Sequence, residues 1–150
     1  MTKLNLGCGQ KHLEGYINID MIAPADLVCK IGKEPLPFED NSVEAIEADN
    51  FLEHLSNEEF LYTLNEAWRV MKPRGVFRIR VPDAVRWPNG AFGDPTHKMF
   101  LTERTFDYFT PCNLYRMHGR GYGFKLWIKT KSLERKNGFI IANIRPIKET

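Results

Sequence analysis

The sequence predicts an α/β fold, a mostly parallel sheet that ends in antiparallel strands. Three observations carry that expectation. Short apolar runs ending on glycine or a carboxylate recur through the first half. One strongly periodic helix lies between two of them, and the last 27 residues alternate apolar with polar side chains around Asn137-Gly138. At 150 residues the chain is long enough for one proper core, so residues 1–150 read as a single domain.

Taken in order, Lys3 to Leu6 is a first strand running into the turn Gly7-Cys8-Gly9, and Tyr16 to Asp20 is a second strand ending on a carboxylate. Glycine lets the backbone turn sharply and approach a bound molecule closely. Only residues 7–15 separate the two strands. A parallel crossover usually takes about a dozen residues or more, so either a single helical turn bridges them or the first helix has been lost. Residues 26–31 read as a third short strand, and Pro35 and Pro37 impose an extended loop after it. Asn41-Ser42 marks a turn before a fourth strand, Val43 to Ala48.

The clearest helix follows. Ser56 and Glu59 have capping-box spacing, Leu55 and Phe60 can staple its start, and Phe60, Leu61, Leu64, Ala67, Trp68 and Met71 form one stripe. Lys72-Pro73-Arg74-Gly75 is expected to stop it. Val76 to Val81 alternates apolar residues with Arg78 and Arg80, a strand buried mainly on one face. Residues 84–120 show no clean period beyond an expected helix from Thr102 to Phe109, and residues 124–147 read as a terminal antiparallel pair. The helical layer is thin for such a sheet, which implies a partly bare face or one covered by a second copy, so a homodimer is compatible with the pattern.

Composition excludes some classes. With 43% hydrophobic and 27% charged residues the chain resembles an ordinary globular protein. No apolar run approaches the ~20 residues of a membrane span, and Met1-Thr2-Lys3-Leu4 passes directly into a strand, which reads as no signal peptide and no membrane partner. Cys8, Cys29 and Cys112 are odd in number and widely spaced, as expected of reduced thiols in a cytoplasmic protein, and no metal site is expected. The net charge of +2 divides into −4 over residues 1–93 and +6 over residues 94–150. A basic C-terminal third suits either a solvated hairpin or attraction of an acidic substrate or nucleic acid.

These motifs, in this order, resemble the small class I S-adenosylmethionine-dependent methyltransferases of the type-11-like kind, with their Rossmann-like sandwich. LNLGCG at 4–9 is similar to the family's first cofactor motif, and GYINID at 15–20 to the segment ending in a ribose-binding acid. LPFEDNSVEAI at 36–46 with NFLEHL at 50–55 resembles the run from the adenine loop through the fourth strand. LNEAWRVMKPRGVFRIRVPD at 64–83 resembles the helix and turn before the fifth strand, and DPTHKMFLTERTFDYF at 94–109 resembles a segment of members encoded near sugar-modifying genes.

The resemblance implies S-adenosylmethionine as cofactor. Leu6, Gly7, Cys8 and Gly9 would lie along its methionine half, Asp20 on the ribose, Met21 and Phe38 toward the adenine, and Asn50, Phe51 and His54 around the sulfonium. Lys30 stands where relatives commonly place an acid, and lysine cannot accept a hydrogen bond.

Methyl transfer needs a nucleophile aligned about 3–3.5 Å from the methyl carbon, and a hydroxyl nucleophile needs a base. His97, in the aperiodic stretch after the fifth strand, is the first candidate, with ordering of the Thr96-His97 turn as its structural alternative. Asp83 is the second, and a turn role after Pro82 stands beside it. His118 sits in a basic run where an anion or nothing at all could bind. The expected activity is methylation of a small-molecule or glycan-like acceptor, at oxygen. A non-catalytic cofactor- or partner-binding module and an RNA-directed enzyme using the basic third are the other readings. Asp49-Asn50-Phe51-Leu52 lacks the double proline used by amino-methylating DNA enzymes.

Overall fold

The computed structural model describes residues 1–149. Eight strands form one sheet: β1 (Thr2–Leu6), β2 (Ile17–Asp20), β3 (Leu27–Val28), β4 (Val43–Asp49), β5 (Met71–Pro82), β6 (Trp127–Lys129), β7 (Glu134–Lys136) and β8 (Phe139–Pro146). Their spatial order is β3-β2-β1-β4-β5-β8-β6, with β7 also paired to β8. The first five strands are mutually parallel, and β8 runs antiparallel to β5 and joins it to β6 and β7. The expected α/β class with its antiparallel finish is therefore observed.

The helix α1 (Asn57–Val70) starts at the expected capping box. Ser56 Oγ accepts the Glu59 N–H at 3.2 Å, and the Glu59 carboxylate accepts the Ser56 N–H at 2.9 Å. Four expectations are corrected. Residues 26–31 supply only the two-residue β3. The Lys72–Gly75 stretch does not separate helix from strand, because β5 already begins at Met71 and bridges Val43 there. Glu103–Phe109 forms tight 3₁₀ turns in place of an α-helix. The terminal antiparallel pair is three strands, with left-handed Asn137 (φ 53°) and Gly138 (φ 85°) turning β7 into β8.

A single hydrophobic core lies on one face of the sheet. Leu4, Leu6, Ile46, Ala48, Phe77, Ile79, Ile144 and Trp127 meet Phe60, Leu64 and Ala67 of α1 and Phe106 and Phe109 of the following segment. The opposite face is polar. In register across β2, β1, β4, β5 and β8 stand Asn18, Asn5, Glu47, Arg78 and Asn143. One row along, Asp49 and Arg80 pair at 2.7 Å, while Glu47 and Arg78 pair at 3.3 Å. Parallel sheets covered on both faces read as continuous apolar runs. Here the second face carries cross-strand ion pairs, so the arginines of β5 are solvent-side partners of β4 acids.

No helix joins β1 to β2. The loop is stitched by two buried amides. Asn5 Nδ2 donates to the Lys11 carbonyl at 2.8 Å and to Asn18 Oδ1 at 2.9 Å. Asn18 Oδ1 also accepts the Leu13 N–H at 2.8 Å, and Asp26 accepts from both the main chain and side chain of Asn18. These bonds satisfy backbone groups that a crossover helix would have paired internally. Among the described residues no helix is long and apolar enough to cross a membrane.

Candidate active site

The parallel strands β1, β2 and β4 end, in the same direction, at Leu6, Asp20 and Asp49, and the loops leaving those ends build the site. Gly7 and Gly9 both hold positive φ, 66° and 49°. A Cβ on Gly7 would lie 2.1 Å from the Phe51 ring, whereas nothing lies within 4 Å of one built on Gly9. Gly7 is therefore the contact between the first glycine turn and the residue just past β4, and Gly9 faces open space.

Asp20 turns back toward that loop. Its Oδ2 accepts the Gly9 N–H at 2.8 Å and its Oδ1 accepts the Met21 N–H at 2.7 Å. Oδ1 also accepts the Ile22 N–H at 3.4 Å, so of a carboxylate's roughly four acceptor positions the spare one lies on Oδ2. Cys8 is internally committed: its N–H donates to Ile19, and its carbonyl accepts from Lys11. Burial and the Asp20 charge push the Cys8 thiol up, which makes it no nucleophile. Leu6 is a fully buried core residue, leaving only its main chain to face a ligand. Met21 and Ile22 stand exposed beside Asp20.

Phe38 lies elsewhere. Its carbonyl accepts from Arg69 at the carboxyl end of α1, beside the start of β4 and β5. That is the end of the sheet opposite the glycine loop, which removes Phe38 from the adenine position. The two prolines around it fix the loop there, and Arg69 holds it with further bonds to Leu36 and Asp40.

Past β4, Asp49 is bracketed by Lys11 and Arg80. Burial raises its carboxyl, but hydrogen bonds and charge from Lys11 and Arg80 outweigh that and hold it below the ordinary range. Asn50 adopts a left-handed φ of 54° and its N–H donates to the Arg80 carbonyl at 2.9 Å. The chain then makes one short turn, Leu52–His54, before α1.

That turn brings together three groups. One donor atom from each of Glu53, His54 and His97 lies within 4.8 Å of the others. The imidazoles of His54 and His97 meet edge to face with centroids 4.8 Å apart. Glu53 is only 2% exposed, and its Oε1 has no hydrogen-bond partner. Burial pushes its carboxyl up to about 7, against the pull of its own N–H and of His97. Burial and then His97 push the His54 imidazole below its ordinary value. The Glu53 carbonyl accepts the N–H groups of Lys98 and Met99 at 2.9 and 3.1 Å, which docks the His97 loop onto the β4 turn.

His97 thus joins the site, and Asp83 does not. Asp83 is 1% exposed; its Oδ1 accepts from the N–H groups of Val85 and Arg86, and its Oδ2 pairs with the Arg86 side chain at 3.3 Å. It is a turn residue, since both oxygens serve the loop that follows β5. His118 is exposed on a short turn and stacks on Tyr122. Glu53 is a candidate that sequence reading overlooked: its position in LEHL hints at nothing until the turn buries it. An apolar cavity of about 500 Å³ between α1 and residues 99–124 is lined by Phe60, Leu61, Met99, Tyr108, Tyr122 and Phe124, away from the glycine loop.

Comparison with known proteins agrees with this architecture. A methyltransferase-domain family profile matches residues 21–79, a stretch that includes Glu53 and His54. A protein of Pyrococcus horikoshii OT3 superimposes with a TM-score of 0.69 at 14% identity, over 97% of this chain and 81% of that one. An S-adenosylmethionine-dependent methyltransferase of Archaeoglobus fulgidus gives 0.62 at 17% identity, over 95% and 85%. The 1,6-didemethyltoxoflavin-N1-methyltransferase of Burkholderia thailandensis, solved with its acceptor and S-adenosylhomocysteine, gives 0.65 at 14% identity, over 98% and 71%. No curated protein matches the chain in sequence. The sheet order and the loops at its carboxyl edge define a class I methyltransferase fold. The chain shares the fold of these solved proteins, S-adenosylmethionine-dependent methyltransferases among them.

Proposed function

We propose that this protein is an S-adenosylmethionine-dependent methyltransferase that acts on a hydroxyl oxygen of a small-molecule or glycan-like acceptor. The observation that carries this reading is the Gly7–Phe51 contact, which sets the glycine loop against the turn bearing Glu53 and His54, with His97 beside them. The residues present fit the cofactor. Open space over Gly9 admits its amino-acid half, the spare acceptor position on Asp20 Oδ2 suits a ribose hydroxyl, and the exposed side chains of Met21 and Ile22 flank an adenine. Asn50 and Phe51 border the space between that loop and the histidines. When bound, the cofactor supplies an electrophilic methyl group on a sulfonium.

The chain's own residues do the rest. His97 donates its Nδ1–H to the Ala91 carbonyl at 2.7 Å, which leaves Nε2 as the ring nitrogen for an acceptor. That nitrogen takes the proton of an acceptor hydroxyl. His54, tied through Nδ1 to Thr96 at 3.1 Å, borders the same space. Burial of Glu53 and His97 keeps water from competing as nucleophile.

The basic C-terminal third is a poorer match to RNA, because Lys129, Lys131 and Arg135 are held by Asp107, Glu134 and Glu103. Isothermal titration with S-adenosylmethionine and S-adenosylhomocysteine tests the cofactor half, and absence of heat at millimolar ligand overturns it. Transfer of labelled methyl to hydroxylated small molecules, with no transfer to RNA, tests the acceptor half.

A further inference from the structure

Glu53, His54 and His97 have more order than a single base requires. The Thr96 hydroxyl donates to Asp94 Oδ1 at 2.7 Å, so its oxygen is left to accept the His54 Nδ1–H at 3.1 Å. His97 Nδ1–H is fixed by the Ala91 carbonyl. Both rings therefore have Nδ1 occupied by an outer partner, which leaves Nε2 as the nitrogen able to ligate. That is the arrangement in which metal-bound histidines are held, with the second ring nitrogen donating to a carbonyl, carboxylate or hydroxyl.

Two further features point to a positive centre. Glu53 is 98% removed from solvent, yet its Oε1 meets no donor. His97 Nε2 lies 3.4 Å from Asp94 Oδ2, a ring nitrogen and a carboxylate oxygen close enough to share one cation.

We propose that Glu53, His54 and His97 bind a first-row divalent cation such as Mn²⁺, Co²⁺ or Zn²⁺, with Asp94 at its rim. Two imidazoles and one carboxylate make a mixed nitrogen–oxygen set that leaves coordination positions open. Bonds of about 2.0–2.2 Å place ligand atoms roughly 3.3 Å apart, so the three donors, within 4.8 Å of one another, need to close by about 1.5 Å at most. His54 and Asp94 are not fully buried and sit on short turns that can supply that movement. The open positions suit an acceptor with two adjacent oxygens, a catechol or vicinal diol; with the cation in place His97 Nε2 is a ligand and no longer the base, and the cation itself eases loss of the hydroxyl proton. This acceptor class rests on the methyltransferase reading above; the cation site does not.

The test uses the full chain stripped of metal, with no cofactor added. Mn²⁺ binding is followed by electron paramagnetic resonance and Co²⁺ binding by its visible absorption. One equivalent is expected to bind, with nitrogen ligation evident in the Co²⁺ spectrum. Glu53→Gln and His97→Gln are each expected to weaken binding by more than about tenfold, and Thr96→Val, which removes only an orienting bond, by about tenfold. Because Glu53 and His97 are buried, His54→Gln at a half-exposed position serves as the variant least able to disturb folding. No binding at millimolar Mn²⁺ or Co²⁺, or equal affinity in His54→Gln and wild type, overturns the site. Titration of 3,4-dihydroxybenzoate with and without Mn²⁺ tests the acceptor class, and metal-independent binding overturns that part. Cation binding in a chain that gives no heat with S-adenosylmethionine would defeat the methyltransferase reading and leave the cation site standing.

Discussion

Asn5 and Asn18 face each other across β1 and β2, their side-chain amides joined at 2.9 Å and both almost wholly buried. Between them they hold residues 11 and 13 of the loop that replaces the first crossover helix. Asn18→Ala strands the Leu13 N–H and one Asn5 donor in a buried setting. Unpaired groups of this kind cost about 1–3 kcal/mol. Urea unfolding of Asn18→Ala is expected to show a loss in that range with an unchanged m-value, and Asn5→Ala a similar one. The double variant should lose less than the sum, because the pair shares a bond.

Gly7 answers to two separate constraints. Its φ of 66° disfavours any side chain, and a Cβ there would run into the Phe51 ring. Gly7→Ala is expected to cost about 1–2 kcal/mol from the backbone alone, with a further loss from displacing Phe51. Combining it with Phe51→Ala removes the ring but keeps the Phe51 Cβ, which would lie 2.7 Å away, so the double variant should recover only part of the loss, which differential unfolding of the two variants would reveal.

Asp20 is expected to control cofactor affinity. Removing a charge-assisted hydrogen bond to ribose should weaken S-adenosylmethionine by on the order of ten- to a hundredfold in Asp20→Ala. Because Asp20 also anchors the Gly9 N–H, Asp20→Asn is the informative companion. It keeps an acceptor for Gly9 and should bind more tightly than Asp20→Ala. Calorimetry showing unchanged affinity in both would take Asp20 out of the site.

The Lys11–Asp49–Arg80 group predicts an acid-sensitive contribution to stability. Asp49 has a folded-state carboxyl below its ordinary value, set against burial by its two cationic partners. Its contribution is therefore complete above the unfolded value near pH 4 and is lost as pH falls through the lower folded value. Asp49→Asn should be less stable than wild type at neutral pH. The gap should narrow below about pH 4, as chemical denaturation from pH 2.5 to 7 would record.

The charged sheet face predicts a change in association. Replacing Glu47 and Arg78 together by valine and isoleucine removes one cross-strand ion pair and extends the apolar surface between Ala45 and Ile141. Exposed apolar patches of several hundred Å² drive association. Sedimentation velocity is expected to show concentration-dependent self-association in the double variant beyond that of wild type, while charge-preserving Glu47→Asp with Arg78→Lys should leave it unchanged.

How much was legible in the sequence differs by element. The capping box at Ser56 and Glu59 and the stripe from Phe60 to Ala67 fixed α1, because helix signals are local and repeat every turn. The Asn137-Gly138 turn likewise announced the β7–β8 hairpin. The glycine loop and Asp20 could be read from spacing, since strand, turn and carboxylate lie within 17 residues of one another. Less local features escaped. Nothing in LPF shows that Arg69 draws Phe38 to the far end of the sheet, and Asp83 looks like any acid after a strand until Val85 and Arg86 occupy its oxygens.

The sequence by itself therefore determined the fold class, the main helix and the glycine turn after β1, all set by short-range periodicity and turn chemistry. Only the tertiary structure decided which face of the sheet is bare. It also carried His97 across more than forty residues to His54 and buried Glu53 beside them. The physical reason is that burial and donor geometry are properties of what packs around a residue. Glu53 is an ordinary exposed acid in an extended chain; it becomes a buried carboxyl with an unpartnered Oε1 near two imidazoles only when the Lys98–Met99 main chain closes over its turn.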